Sequence, residues 1–127
     1  MSNNRGQTLV VFILLLPIFL MIAAIIVDSG ILFNEKRKID NTVKEALTYG
    51  INHITEEEVI NDIKKLINKN ISDVKKLDVE INNEIIIIEL KKIKESVFSF
   101  IFEKYSHDIE SSYRGYKDNN DIIIKEE

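Results

Sequence analysis

The chain has 127 residues, about one domain's worth, with 45% hydrophobic and 30% charged residues, one Pro, four Gly, no Cys and no Trp. This composition excludes collagen-like, Pro/Gly low-complexity and disulfide-framed proteins. The charge is divided along the chain. The first 27 residues carry only Arg5, whereas residues 28–127 carry sixteen basic and twenty-one acidic side chains, a net of −5. The two parts are suited to different solvents. Ile, Asn and Lys make up 50 of the 127 residues, so Asn clusters alone are poor turn signals in this chain.

Leu9 to Val27 is an apolar run of 19 residues, LVVFILLLPIFLMIAAIIV. As a helix it would be about 28 Å long at 1.5 Å per residue, close to the ~30 Å hydrocarbon core of a bilayer. It has no polar face, unlike a core helix of a water-soluble domain. A membrane-spanning helix is therefore expected, anchored by Leu9, Phe12, Pro17 and Val27. Pro17 lacks a backbone donor and crowds the carbonyl of Ile13, which predicts a kink or a loosened turn. The run exceeds the 7–15 residues of a secretory leader's apolar core, and Ala23-Ala24 is followed by Ile25-Ile26-Val27 rather than a polar mature start.

Beyond the run, Leu32, Ile39, Val43, Ala46, Leu47 and Gly50 recur at spacings of three, four and seven, with charges between them. This predicts an amphipathic helix that continues the membrane helix outward and stops near Gly50. Thr55-Glu56-Glu57-Glu58 matches a capping box, with Val59, Ile60, Ile63, Leu66, Ile67 and Ile71 as the apolar stripe of the next helix. The glutamates read as helix-start chemistry rather than metal ligands.

The period then changes to two. Leu77, Val79 and Ile81 alternate with Asp78 and Glu80, and a second run follows Asn82-Asn83. A turn at Asn82-Asn83 would pair Ile81 with Glu84, Val79 with Ile86 and Leu77 with Ile88. That register puts Leu77, Val79, Ile81, Ile86, Ile88 and Leu90 on the face toward the helices, and Ile85 and Ile87 on the other. Ser96 to Tyr105 fits strand or helix spacing and is expected to be a short helix or loop closing the core. His107 to Lys117 predicts a third strand with Ile109 and Tyr113 on one side, followed by a turn and then a frayed tail or short strand. The expected fold class is α+β: an N-terminal transmembrane helix continuing into a long amphipathic helix packed on a small antiparallel sheet.

Catalytic constellations are absent from the sequence, so no enzyme activity and no cofactor are expected. The four glycines, at 6, 30, 50 and 115, form no phosphate-binding loop. His53 and His107 belong to no ligand-spaced motif, so no metal is expected either. Ser106-His107-Asp108 are sequential neighbours and cannot form a relay. Acids outnumber the interleaved basic residues, which argues against nucleic acid as a partner.

Arg5-Gly6-Gln7-Thr8-Leu9-Val10-Val11-Phe12 leads into the apolar run with Pro17, and Asp28-Ser29-Gly30, Phe33 and Lys36 to Asn41 follow it. This block resembles the TadE-like family of tight-adherence (Flp-type) pilus-assembly proteins. The resemblance spans residues 5–50. It implies a pilin-like membrane protein with a short polar leader (1–6), a transmembrane helix (7–27) and an extracytoplasmic α+β domain (28–127). It also implies a structural role as a minor pilin or pseudopilin in a bacterial surface appendage or secretion assembly. A prepilin peptidase would cut between Gly6 and Gln7, and the partners would be the lipid bilayer, an assembly platform and other pilin-like subunits contacted through the N-terminal helix. Val11 departs from the pattern, because pilins typically carry Glu at the fifth residue after the cut. The alternative is a single-span anchored binding or sensor domain that never enters a filament. The two readings of orientation also differ. Lys36-Arg37-Lys38 beyond the run would place the C-terminal part in the cytoplasm by the positive-inside rule, whereas the resemblance implies a C-terminal domain outside the cytoplasmic membrane.

Overall fold

The computed structural model describes residues 3–96 and 106–127. One helix, α1 (Asn3–Asn52), is followed by α2 (Val59–Asn70) and strands β1 (Val74–Asn82), β2 (Ile85–Glu95), β3 (Ser106–Asp118) and β4 (Asp121–Glu126). The strands form one antiparallel sheet in the order β1-β2-β3-β4. The fold is α+β, with a long N-terminal apolar helix and a small four-stranded sheet.

The first half of α1 is bare and the second half forms the spine of the domain. Ile39, Val43, Ala46, Leu47 and Ile51 of α1 are buried against Val59, Ile63 and Ile67 of α2 and against Ile86, Ile88, Leu90, Ile109 and Tyr113 of the sheet. The expected stripe of α1 is thus the core-facing stripe, with Leu32 half-buried at its lower end. The helix does not stop at Gly50 but runs to Asn52. Gly50 serves close packing instead. A Cβ there would lie 2.6 Å from Ile63 Cδ1 and 2.9 Å from Ile86 Cδ1, so the absent side chain lets α1, α2 and β2 meet. Gly115 does the same on β3, where a Cβ would lie 2.8 Å from Ile51 Cδ1.

The capping box is not formed. Helix α2 begins at Val59, and its N-cap Glu58 makes no side-chain cap hydrogen bond. Thr55 to Glu58 lie in turns that bring the chain around from α1, with Glu56 N–H donating to His53 O at 3.0 Å. The apolar stripe of α2 still falls as its spacing requires: Val59, Ile63, Ile67 and Ile71 are buried.

The first hairpin turns one residue later than expected. Asn83 and Glu84 form the turn, both with positive φ (48° and 67°), and Ile81 pairs with Ile86, Val79 with Ile88 and Leu77 with Leu90. The pairing slips by two residues, so every side chain keeps its expected face. The slip replaces an Ile81–Glu84 pair by Ile81–Ile86, while Val79 and Leu77 keep apolar partners, Ile88 and Leu90. Holding Glu84 in the left-handed region costs roughly 1–2 kcal/mol, and burying one Ile-sized side chain contributes roughly 1.5–3 kcal/mol. The apolar pair wins.

Strand β3 is present with Ile109 and Tyr113 buried, and the C-terminal segment is a paired strand rather than a frayed tail. A second turn of the same kind, at Asn119-Asn120 (φ 49° and 71°), joins β3 to β4. Ile85 and Ile87 lie half-buried on the outer face. Apart from Ser96, the Ser96–Tyr105 expectation lies outside the described residues.

Candidate functional site

The feature that dominates the molecule is the bare half of α1. Every large apolar side chain from Leu9 to Val27 is exposed, from 40% at Leu15 to 66% at Leu14 and Ile26. Leu9, Phe12 and Val27 lie on this rod with no contact to the domain's core, and the helix passes through Pro17 without interruption. Among the described residues, α1 is the one helix long and apolar enough to cross a membrane, with a mean hydropathy of 3.3 over its most apolar window and none of that window buried. Water around eighteen exposed apolar residues is a strongly unfavourable solvent. Leu, Ile, Phe and Val each favour the centre of a bilayer by about 0.3–0.6 kcal/mol.

Gly6 and Gln7 precede the rod. Both are exposed and both lie inside α1, where a Cβ on Gly6 would meet nothing within 4 Å. Thr8 Oγ1 donates to Asn4 O at 2.8 Å across that turn. Among the described residues nothing outside the helix crowds Gly6, and the 6–7 peptide bond sits in helical conformation, so a peptidase would have to unwind this turn to reach it.

Above the rod, α1 is joined to the sheet by polar contacts. Ser96 Oγ donates to Asp28 Oδ2. Two turns on, Lys92 Nζ donates to Glu35 Oε1 at 2.6 Å, with only 6% and 17% of the two side chains exposed. Lys36 Nζ reaches both Glu110 O and, at 3.0 Å, Asp40 Oδ1. Asp40 Oδ1 also accepts from Ser111 Oγ at 2.7 Å. Asp28, Glu35 and Lys36 lie below the apolar core, toward the rod. The helix is therefore held near the rod by polar pairs interleaved with Leu32, and farther out mainly by hydrocarbon.

The electrostatics follow from these contacts. The hydrogen bond from Lys92, helped by its charge, holds the Glu35 carboxyl below the usual carboxylate range. Burial pushes the Tyr113 phenol up, and the neighbouring Asp40 charge pushes it further. Tyr49 is raised in the same way, by burial and then by Asp62. His53 stacks on Tyr49 with ring centroids 4.2 Å apart and bonds Tyr49 O through Nδ1 at 2.8 Å. It closes the C-terminal end of α1. A shallow groove of about 450 Å³ opens between α1 and β3, lined by Leu32, Phe33, Lys36, His107 and Glu110 among others.

The Glu35–Lys92 joint was missed by periodicity, although the sequence carries a signal for it. Ile86, Ile88, Leu90 and Lys92 share one strand face, so the lysine occupies a core-facing position and needs an anion. Asp28 and Glu35, seven residues apart, lie on one helical stripe. No protein-family model, no curated protein and no solved structure matches the chain.

Proposed function

We propose that this chain is a membrane-anchored structural subunit, a minor pilin-like or pseudopilin-like component of a tight-adherence-type pilus or secretion assembly, with its domain outside the cytoplasmic membrane. One observation carries the reading. A single uninterrupted helix is a bare apolar rod in its first half and the spine of a small α+β domain in its second. Such a rod can be held in lipid and later transferred among apolar helices of neighbouring subunits without changing the chemistry of its surroundings. The rod would be the anchor and packing surface, and Gly6–Gln7 the bond cut by a prepilin peptidase.

The test has two parts. Membranes washed at high salt should retain the protein until detergent is added. The extracted protein should begin at Gln7 and should also occur in sheared surface fractions. Recovery of the full chain in the aqueous supernatant would refute the anchor. A start at Met1 or Ser2 with nothing in the sheared fraction would refute the pilin part and leave an anchored binding or sensor domain. Val11 favours that second reading. In a pilin the corresponding Glu would pair with a neighbour's terminal amine, and Val11 cannot.

A further inference from the structure

We propose that copies of this chain associate side by side in the membrane by adding strand β4 of one copy to strand β1 of the next, extending the sheet with all anchors on one side. The inference rests on the anchor part of the reading above. Among the described residues, both edges of the sheet end in incompletely covered hydrocarbon. Leu77, Val79 and Ile81 at the β1 edge and Ile122 and Ile124 at the β4 edge pack against the core but are only partly buried. A strand edge with an apolar rim on its core side is a template for another strand.

The anchor decides which edges can meet. Asp28, at the rod end of the domain, bonds Ser96 beyond the end of β2, while Gly50 and Ile51 lie against Ile86 and Gly115 near the two turns. The strands therefore run along α1, with β1 pointing away from the rod and β4 toward it. Antiparallel pairing of β4 with β4, or of β1 with β1, inverts the second copy and sends its rod the opposite way. Pairing of β4 with the β1 of a neighbour is antiparallel while both rods enter the same bilayer. The contact is head-to-tail, so it does not close at two copies.

The sheet's own register then fixes which residues meet when two copies stand at equal height. Ile124 lies level with Gly115, Ile86 and Ile81, and Lys125 lies level with Arg114, Ile87 and Glu80. Ile124 would face the neighbour's Ile81 on the core side, where the two rims meet. Lys125 would face the neighbour's Glu80 on the outer side as an opposite-charge cross-strand pair, Glu126 would face Val79, and Glu127, level with Asp78, is already paired with Arg114 of its own copy. Both charged residues are exposed within one copy. At about 4.8 Å per strand, each copy is roughly 19 Å wide, so in the membrane-held row neighbouring rods are separated by lipid, and rod-on-rod packing belongs to a later assembled state.

The chain has no cysteine, so introduced ones report cleanly. Opposed residues of antiparallel strands have Cα atoms about 4.5–5.5 Å apart, within disulfide reach. Mild oxidation of membranes carrying the double variant Glu80→Cys/Lys125→Cys should give a ladder of dimers, trimers and higher species. Glu80→Cys and Lys125→Cys single variants should remain monomeric alone and give a dimer when co-expressed. In a variant set free of cysteine, energy transfer between fluorescently tagged copies in membranes should fall at least several-fold for Lys125→Glu and recover in Glu80→Lys/Lys125→Glu, which loss of folding could not produce. A membrane-held double variant with nothing above dimer, or charge reversal without recovery, overturns the proposal and leaves the anchor standing. A Lys125→Cys homodimer together with release of the chain from membranes overturns both, because the constraint against β4–β4 pairing is then gone.

Discussion

Replacing Glu35 by Gln should destabilise the domain more than any exposed charge substitution. Lys92 has 6% of its side chain exposed, and its ammonium sits 2.6 Å from the Glu35 carboxylate. With Gln at 35, the lysine loses its counter-ion in a largely dry site. Breaking a buried pair in this way costs about 3–5 kcal/mol, and the partial exposure of Glu35 sets the expectation at the lower end, about 3 kcal/mol. For a domain of this size that corresponds to a fall in Tm of roughly 12–24 °C. Lys92→Met should cost less, about 1–2 kcal/mol, because Met keeps the apolar stem and Glu35 can turn toward water. The double variant Glu35→Leu/Lys92→Met should lie within about 1 kcal/mol of the parent or above it, since an apolar pair requires no desolvation of charge. The pair also has a pH signature. The Glu35 pKa is lowered on folding by its bond to Lys92, so the stabilisation is present above the unfolded value near 4.5 and is lost as pH falls through the folded value. Lys92→Met should remove this acid-side loss. The assay is thermal unfolding of the full chain in mild detergent, followed by tyrosine near-UV circular dichroism so that the rod's helical signal does not mask the domain. A Glu35→Gln variant within about 0.5 kcal/mol of the parent would show that the pair behaves like an ordinary surface bridge and would refute the reasoning.

Three further outcomes are expected. Glu84→Gly should stabilise the first hairpin by about 1 kcal/mol, because Glu84 holds φ 67° and glycine does so without strain; an unchanged Tm would show that the turn relaxes. Gly30→Ala and Gly50→Ala should have opposite signs although both lie in α1. The first meets open space and gains about 0.5–1 kcal/mol of helix propensity, seen as slower amide exchange, whereas the second drives a Cβ into Ile63 and Ile86 and loses about 1–2 kcal/mol net. The phenolate absorbance lost in Tyr113→Phe should lie on the alkaline side of pH 10, since burial and then Asp40 raise this phenol. Its folded pKa lies above the unfolded one, so its contribution is full below about pH 10 and is lost as pH rises through the folded value. Alkaline unfolding of Tyr113→Phe should therefore be shallower than that of the parent.

What could be read from the sequence depended on whether one local pattern was strong enough to override its neighbours. The rod from Leu9 to Val27 and the stripe from Ile39 to Gly50 are such patterns, because burial or its absence repeats along each at a fixed period. The same holds for the faces of β1 and β2, where a period of two tolerates the two-residue slip of the turn. The slip itself is set by competition between two Asn-containing turns and is decided by which register pairs more hydrocarbon, a quantity that lies across the hairpin. The capping box failed for a related reason. Thr55 and Glu58 have the right spacing, but the connection must bring α2 back over α1 so that Ile63 reaches Gly50, and the turns at 53–58 serve that path instead of a cap. Helix continuation past Gly50 was concealed by reading glycine as a stop signal, when its missing side chain is what lets Ile63 and Ile86 approach.

The division of the α1–sheet joint into a charged part near the rod and an apolar part beyond it has a physical consequence for an anchored protein. Where a domain stands on a bilayer, any apolar seam close to the lipid surface competes with the bilayer for its own halves: the seam can open and each face can insert. Asp28, Glu35 and Lys36 flank the half-buried Leu32 at that level in this chain, and Ile39, Val43 and Leu47 lie above it. Drawing one Asp, Lys or Arg to the centre of a bilayer costs about 2.5–3.5 kcal/mol, so a seam built from these groups gains nothing by opening toward lipid. Because the helix is continuous from the rod through the seam, the orientation of the sheet is fixed by the orientation of the rod. Two copies in one membrane then present their β1 and β4 edges at the same height and in opposed strand directions, the relation that strand addition between copies requires.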